Sequence, residues 1–331
     1  LDAFRVHDWR DGVSRRGEIE PEFLDALSGG RFAVPVKAEF DRLLFDGYDL
    51  IVSIGQVVPH EVAGMANYTK NLVVGTGGSD VINKSHFLGA VCGIESILGT
   101  RDNPVRLFLN EAASRFLNDL PVEYLLTVVE DDEAGPVLRG LFSGGEAAFQ
   151  SACALSRQVN ITALEKRPAR MVVYLDPREF GSTWLGNKAI YRTRTAIADG
   201  GELIVLAPAL ERFGEDAGVD RLIRRYGYRG TEMVLEAVER DAELRANYGA
   251  AAHLIHGSTE GRFRVVYCPG DGLSCDAVRE VGFEAMPYAE AVKRYDPDTL
   301  REGPNALPGG DEVYFIRNPA LGLWKAGTSE Q

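Results

Sequence analysis

Three side chains with chemistry to offer lie in one stretch of this 331-residue chain: His60, Lys70 and His86. Lys70 follows His60 by ten residues, His86 follows Lys70 by sixteen, and the whole chain has only five histidines. An imidazole moves protons near neutral pH or holds a soft metal. An amine can be acylated or joined to a cofactor by another covalent link. Three such groups in one Gly-rich loop–helix region suggest a cofactor site. Spacing alone does not decide it: a histidine near a helix is more often a hydrogen-bonded structural residue, and most lysines are solvated surface charges.

The elements around these residues strengthen the reading. Asp49 to Gly55 is a short apolar run ending in glycine, the pattern of a buried parallel strand. Val57-Val58-Pro59-His60 follows at once, which places His60 beyond a strand's carboxyl end, where open α/β sheets bind ligands. Asp80 to Leu98 has helical spacing, with Asp80 as an acidic N-terminal residue, and this helix would carry His86. Just before it, Gly75, Gly77 and Gly78 are expected to offer backbone N–H groups to a cofactor phosphate; an ordinary turn is the alternative.

Further helices are expected over 20–27, 36–45, 104–118 and 144–158, and strands over 122–129 and 137–142, joined by a solvated acidic loop from Glu130 to Glu133. A second unit starts near Pro168. Strand 171–175, helix 184–198 with its Asp199-Gly200-Gly201 stop, and strand 203–207 form a βαβ pattern, so the two strands are expected to be parallel. Two or three helices fill 219–256, a strand covers 263–267, and a helix starts at Ser274. The expected fold is α/β: two α/β domains with mostly parallel sheets and the active site in the cleft between them. Residues 1–165 form the cofactor-binding domain, to which 312–331, with a strand at 313–316, is expected to return; 166–311 form the substrate domain.

Composition bounds the possibilities. With 45% hydrophobic and 26% charged residues the chain is an ordinary globular protein. A net charge of −13 argues against nucleic acid as a partner, though not against a small anionic substrate. No apolar run approaches the ~20 residues that span a bilayer, so no membrane partner is expected. Cys92, Cys153, Cys268 and Cys275 form no CxxC pair, fit no standard zinc spacing with His253 and His256, and point to a reducing, cytoplasmic setting. His253 and His256 share a helix face; a helix C-terminal role is favoured two to one over contact with substrate.

Taken together, Pro59-His60, Ala63-Gly64, Lys70 and His86 stand in the register of the nickel-dependent lactate racemase family, which this stretch resembles. The likeness extends more weakly to His7-Asp8 and to residues 176–201. It implies a nickel-pincer nucleotide, a pyridinium-3,5-bisthiocarboxylic acid mononucleotide, made by separate pincer biosynthesis proteins. By the resemblance Lys70 forms a thioamide with the cofactor, His86 ligates nickel, and His60 is one of two general acid/base histidines. Lys188 holds the substrate carboxylate, with Trp184 and Asn187 beside it. The reaction implied is racemisation or 2-epimerisation of a 2-hydroxy acid. The hydrogen on C2 is a poor acid beside a carboxylate, so its removal as hydride needs an electron sink that side chains lack. A histidine suits the accompanying transfer of the hydroxyl proton.

The chain departs from the family pattern in several places. The Gly-Thr-His-Arg stretch that carries the second histidine is absent, and the match starts abruptly at Leu1, so residues are expected to be missing upstream. His7 matches a structural His-Asp pair rather than a base. The residues before Lys70 read Met65-Ala66-Asn67-Tyr68-Thr69 where the family has Tyr-Ser-Gly-Gly-Arg, and Trp184-Leu185 replaces Tyr-Gln. The substrate is therefore expected to be larger than lactate, a sugar acid being one candidate, with Arg178, Ser182, Asn187 and Tyr191 available to its extra hydroxyls. Two other readings stay open: a metal-free racemase with two bases, and a non-catalytic cofactor-binding homologue. The oligomeric state is not legible.

Overall fold

Alternation of buried and outward residues sets the first strands. In the computed structural model, which describes residues 4–132, 135–320 and 322–327, the chain divides into Leu1–Ile161 and Thr162–Gln331. Leu1, Glu133 of the acidic run, and parts of 312–331 lie outside the described residues.

In the first unit, β1 (Val13–Ile19) leads to α1 (Pro21–Ser28), which starts with proline in its first turn and ends on Gly29 in the left-handed region. β2 (Val36–Asp41) pairs antiparallel with β1, Val36 opposite Ile19. The helix expected over 36–45 is thus a strand followed by a 3-10 turn, Arg42–Phe45, whose N-cap is the Asp41 carboxylate. The apolar positions of this segment fit either period. Pairing with β1 selects the strand and buries Val36, Ala38 and Phe40 on one face.

β3 (Ile51–Gln56), β4 (Pro59–His60) and β5 (Gly64–Met65) precede α2 (Thr69–Val73) and α3 (Ser79–Cys92). Gly93, at φ 88, breaks the helix expected over 80–98, and α4 (Ile94–Ile97) follows. α5 (Pro104–Phe116), the hairpin β6 (Val122–Asp132) and β7 (Gly135–Ser143), and α6 (Glu146–Asn160) complete the unit. β3 runs parallel to β6, giving the order β3-β6-β7. One sheet face packs Leu126 and Val128 against Phe149, Ala152 and Cys153 of α6. The other is bare: Val52, Ile54 and Leu141 are 44%, 66% and 62% exposed. β3 is therefore parallel as expected but not buried on both faces. Glu130 pairs with Arg139 across the hairpin.

The second unit runs β8 (Ile161–Leu164), β9 (Arg170–Tyr174), α7 (Thr183–Gly186), α8 (Lys188–Thr193), β10 (Glu202–Ala207), α9 (Ala217–Tyr226), α10 (Thr231–Arg240), α11 (Ala242–Arg245) and α12 (Tyr248–Gly257). It continues with β11 (Arg264–Pro269), α13 (Cys275–Glu280), β12 (Glu284–Ala285), α14 (Tyr288–Ala291), β13 (Gly303–Ala306), β14 (Glu312–Ile316) and β15 (Leu323–Ala326), which pairs with β8. The main sheet has the order β12-β11-β10-β9-β14-β13, parallel except for β13. Its central strands are buried on both faces, as continuous apolar runs require. The helix expected over 184–198 is two short helices meeting at Asn187 and Lys188. β14 does not return to the first unit. It lies beside β9, Phe315 opposite Val172, and both residues join the apolar cluster with Ile204 and Val266. Among the described residues no helix is long and apolar enough to cross a membrane.

Candidate active site

From the carboxyl end of β3 the chain enters β4, whose His60 pairs with Gly64 of β5. His60 Nδ1 accepts the backbone N–H groups of Val62 and Ala63 at 3.1 and 3.3 Å. With Nδ1 held as an acceptor, the neutral ring carries its proton on Nε2. Taking a proton at Nε2 needs the other tautomer, which gives up both backbone contacts. Gly64 sits at φ 74, and a Cβ there would meet the Thr100 carbonyl oxygen at 2.1 Å. Only glycine fits this approach.

The next residues climb to Lys70 through an uncommon backbone. Asn67 and Tyr68 are both left-handed, at φ 71 and 58. Such residues cost on the order of 1–3 kcal/mol each and persist only when their surroundings hold them. Helix α5 does the holding. Asn103 Nδ2 donates to the Ala63 carbonyl at 3.2 Å. Arg106 donates to the carbonyls of Met65 and Asn67 at 2.5 and 3.3 Å, and to Thr69 Oγ1 at 2.9 Å. Thr69 Oγ1 in turn donates to Asn110 Oδ1 at 2.8 Å. Residues 103, 106 and 110 share one helix face. Sequence reasoning missed this row; the signal was polar residues at helical spacing inside an otherwise apolar face.

Arg106 is only 2% exposed, and its guanidinium lies over the Phe149 ring at 4.7 Å. Among the described residues no carboxylate pairs with it, and its Nε is buried without a hydrogen-bond partner. Burial brings its pKa down to about 10.

Lys70 stands in the first turn of α2, and among the described residues its ammonium makes no hydrogen bond or ion pair. Burial lowers its pKa and the charge of Arg106 pushes the same way, while Glu61 opposes them. The direction of the shift is toward the neutral, nucleophilic amine. His86, on α3, has Nδ1 2.6 Å from the Ile82 carbonyl oxygen. That contact needs an N–H, so Nε2 carries the lone pair and is available as a ligand. Burial lowers the His86 pKa, and the Lys70 charge adds to this against the Ile82 bond and Glu61. Lys70, His86 and Glu61 are thus electrostatically coupled in one place.

The glycines before α3 have another role than the one expected. The N–H groups of Gly75, Gly77 and Gly78 donate to the carbonyls of Lys70, Val74 and Glu39. None is left to cradle a phosphate. A Cβ on Gly75 or Gly77 would stand 2.2 Å from the carbonyl oxygen of Asn71 or Val73, so close backbone packing is what requires glycine. His7 has both ring nitrogens engaged, with Asp41 at 2.7 Å and the Gly77 carbonyl at 3.0 Å, and is structural.

In the second unit Trp184 and Lys188 are partly exposed, whereas Asn187 is fully buried. Asn187 Oδ1 accepts from the Tyr267 hydroxyl at 2.8 Å, which makes it a packing residue rather than the substrate contact expected. Tyr191 and Tyr228 bond the two ring nitrogens of His253, each at 2.8 Å, and Tyr228 also meets Thr183 Oγ1 at 2.8 Å. His253 is held neutral, its pKa pushed down to about 3 by burial and by His256. Both histidines are buried in this network. Ser182 bonds Glu215, and Arg178 pairs with Asp176 at the surface, so neither those two nor Tyr191 stands free for a substrate hydroxyl.

Among the described residues no cluster of three or more His, Cys, Asp or Glu could hold a metal by itself. A metal here would take one protein nitrogen, His86 Nε2, and the rest of its ligands from a bound group. Among the described residues, an amine with no hydrogen bond or ion pair and an imidazole with its lone pair on Nε2 are a donor set that suits a covalently held, metal-bearing cofactor.

No family model and no curated protein matches the sequence. Among solved structures, a crystal structure of a Thermotoga maritima protein aligns over 97% of this chain and 77% of its own, with a TM-score of 0.81 and 23% identity. The lactate racemase apoprotein of Thermoanaerobacterium thermosaccharolyticum aligns over 97% of this chain and 70% of its own, with a TM-score of 0.70 and 16% identity. At these identities the likeness is one of architecture, and the chain has the lactate-racemase-like α/β fold.

Proposed function

We propose that this chain is an isomerase, a racemase or 2-epimerase of a 2-hydroxy acid, that works with a nickel-pincer nucleotide attached at Lys70. The observation that carries the reading is a half-buried Lys70 amine that makes no hydrogen bond or ion pair among the described residues, together with a histidine whose Nε2 lone pair is left for a ligand. The lactate-racemase-like fold supports it. When bound, the group supplies a hydride acceptor, which no side chain provides.

The chain's own residues do the rest. Lys70 anchors the group and His86 Nε2 ligates its metal. His60 meets the substrate hydroxyl: its Nε2–H supports the oxygen of the keto form, and the other tautomer receives the hydroxyl proton. Lys188 holds the substrate carboxylate by a charge-assisted hydrogen bond. Substitution of Trp184-Leu185 for the family's Tyr-Gln favours a substrate larger than lactate. The four free thiols fit a reducing, cytoplasmic setting.

The test is intact mass spectrometry with peptide mapping of the native chain, co-expressed with pincer biosynthesis proteins in the presence of nickel. The expected result is an adduct on Lys70 that disappears in Lys70→Ala. A chain proven to carry its natural N-terminus and still without adduct overturns the reading.

A further inference from the structure

We propose that Arg106 is a positioning residue for Lys70: it clamps the left-handed turn at 67–68 so that the lysine amine is presented to an incoming acyl carbon. The inference rests on the reading of Lys70 as a point of covalent attachment. Arg106 spans three successive anchor points of the turn, the carbonyls of Met65 and Asn67 and the hydroxyl of Thr69, all within the five residues before Lys70. Packing alone does not explain an arginine here. It is buried, no carboxylate pairs with it among the described residues, and Nε has no partner. A buried charge left unneutralised is costly, and an apolar residue of like volume would fill the space at less cost. A planar donor that reaches three acceptors at fixed angles is what an apolar residue or a lysine cannot copy.

The step that depends on it is simple. The Lys70 nitrogen lone pair forms a bond to the acyl carbon, the leaving group departs with the electron pair of the broken bond, and the nitrogen gives its proton to water.

Limiting acetyl N-hydroxysuccinimide, applied to the unloaded full chain at neutral pH, reads this step without any cofactor. Peptide mapping gives the rate at Lys70 relative to the other lysines as internal standards. Arg106→Lys keeps charge but not the clamp, Arg106→Ala loses both, and Thr69→Val removes one strut while leaving the guanidinium in place. The expected result is a fall of at least about tenfold at Lys70 in both Arg106 variants, a smaller fall in Thr69→Val, and unchanged rates at the surface lysines. Guanidinium ion at non-denaturing concentration is expected to restore Lys70 labelling in Arg106→Ala. Equal relative labelling of Lys70 in wild type and folded Arg106→Ala overturns the proposal. If Arg106→Ala does not fold, an unchanged rate in Thr69→Val and Arg106→Lys overturns it equally. The two readings fail separately: co-expression that yields equal adduct on wild type and Arg106→Lys removes the clamp and keeps the cofactor. An Arg106-dependent labelling rate with no adduct on the wild type does the reverse.

Discussion

Replacing His253 by glutamine should flatten the acid sensitivity of the second unit. The imidazole is buried between two tyrosine hydroxyls and stays neutral, its pKa down at about 3. In the unfolded chain it titrates near 6.5. The unfolded state therefore binds the extra proton between those values, and the stability that His253 contributes is complete above pH 6.5 and lost as pH falls toward 3. Linkage gives ~1.4 kcal/mol per pH unit once well below 6.5, so from pH 7 to pH 5 the unit loses about 2 kcal/mol through this residue. Carboxylates titrate mostly below this window. Glutamine offers one donor and one acceptor to the same hydroxyls but does not titrate. The assay is urea unfolding at pH 7, 6 and 5, read by tryptophan fluorescence in a Trp9→Phe background. The Trp184 ring lies 4.6 Å from that of His253 and reports on it directly. His253→Gln should be less stable at pH 7, yet lose about 2 kcal/mol less than the wild type on going to pH 5. Parallel pH dependence in the two proteins would refute the reasoning.

Other expectations follow from single contacts. Gly77→Ala places a methyl 2.2 Å from a backbone oxygen and should lower the melting temperature of the unloaded chain, a loss of about 2 kcal/mol or more; a neutral effect would reopen the phosphate role. In co-expressed protein His86→Phe should keep the Lys70 adduct but reduce nickel affinity by at least roughly tenfold, read by metal analysis of the purified chain. Lys188→Ala should raise KM for the turned-over hydroxy acid by roughly 10–100-fold, the worth of a charge-assisted hydrogen bond, with kcat much less affected.

What was legible in the sequence was mostly local. The β6–β7 hairpin, the runs that became β9 and β10, and α5 and α6 were readable from period and turn signals. So were the types and spacing of His60, Lys70 and His86, because β4, α2 and α3, which carry them, follow one another in a short stretch of chain. Contacts across distance were not. The helix expected at 36–45 is a strand because β1 pairs with it, and β14 sits beside β9 because the sheet takes a strand from far along the chain. The three glycines before α3 carry no mark of where their N–H groups go. Nothing in the sequence marks Arg106 by itself; its importance lies in carbonyls that only the folded loop brings to it. Its place beside Lys188 makes Asn187 an expected substrate contact, yet the helix turn there buries Asn187 and leaves Lys188 partly exposed.

The fastening of the Lys70 turn to α5 also sets an order of events in synthesis. Asn103, Arg106 and Asn110 lie some forty residues after the groups they hold. Lys70 therefore leaves the ribosome well before the helix that shapes its surroundings, and the Arg106 and Asn103 bonds to the turn form only after that helix has emerged. A nascent or misfolded chain would carry the lysine as an ordinary flexible amine. Modification at this residue then becomes a record of maturation, so the fraction of chains bearing an adduct should track the fraction that reached the native first unit rather than the total made.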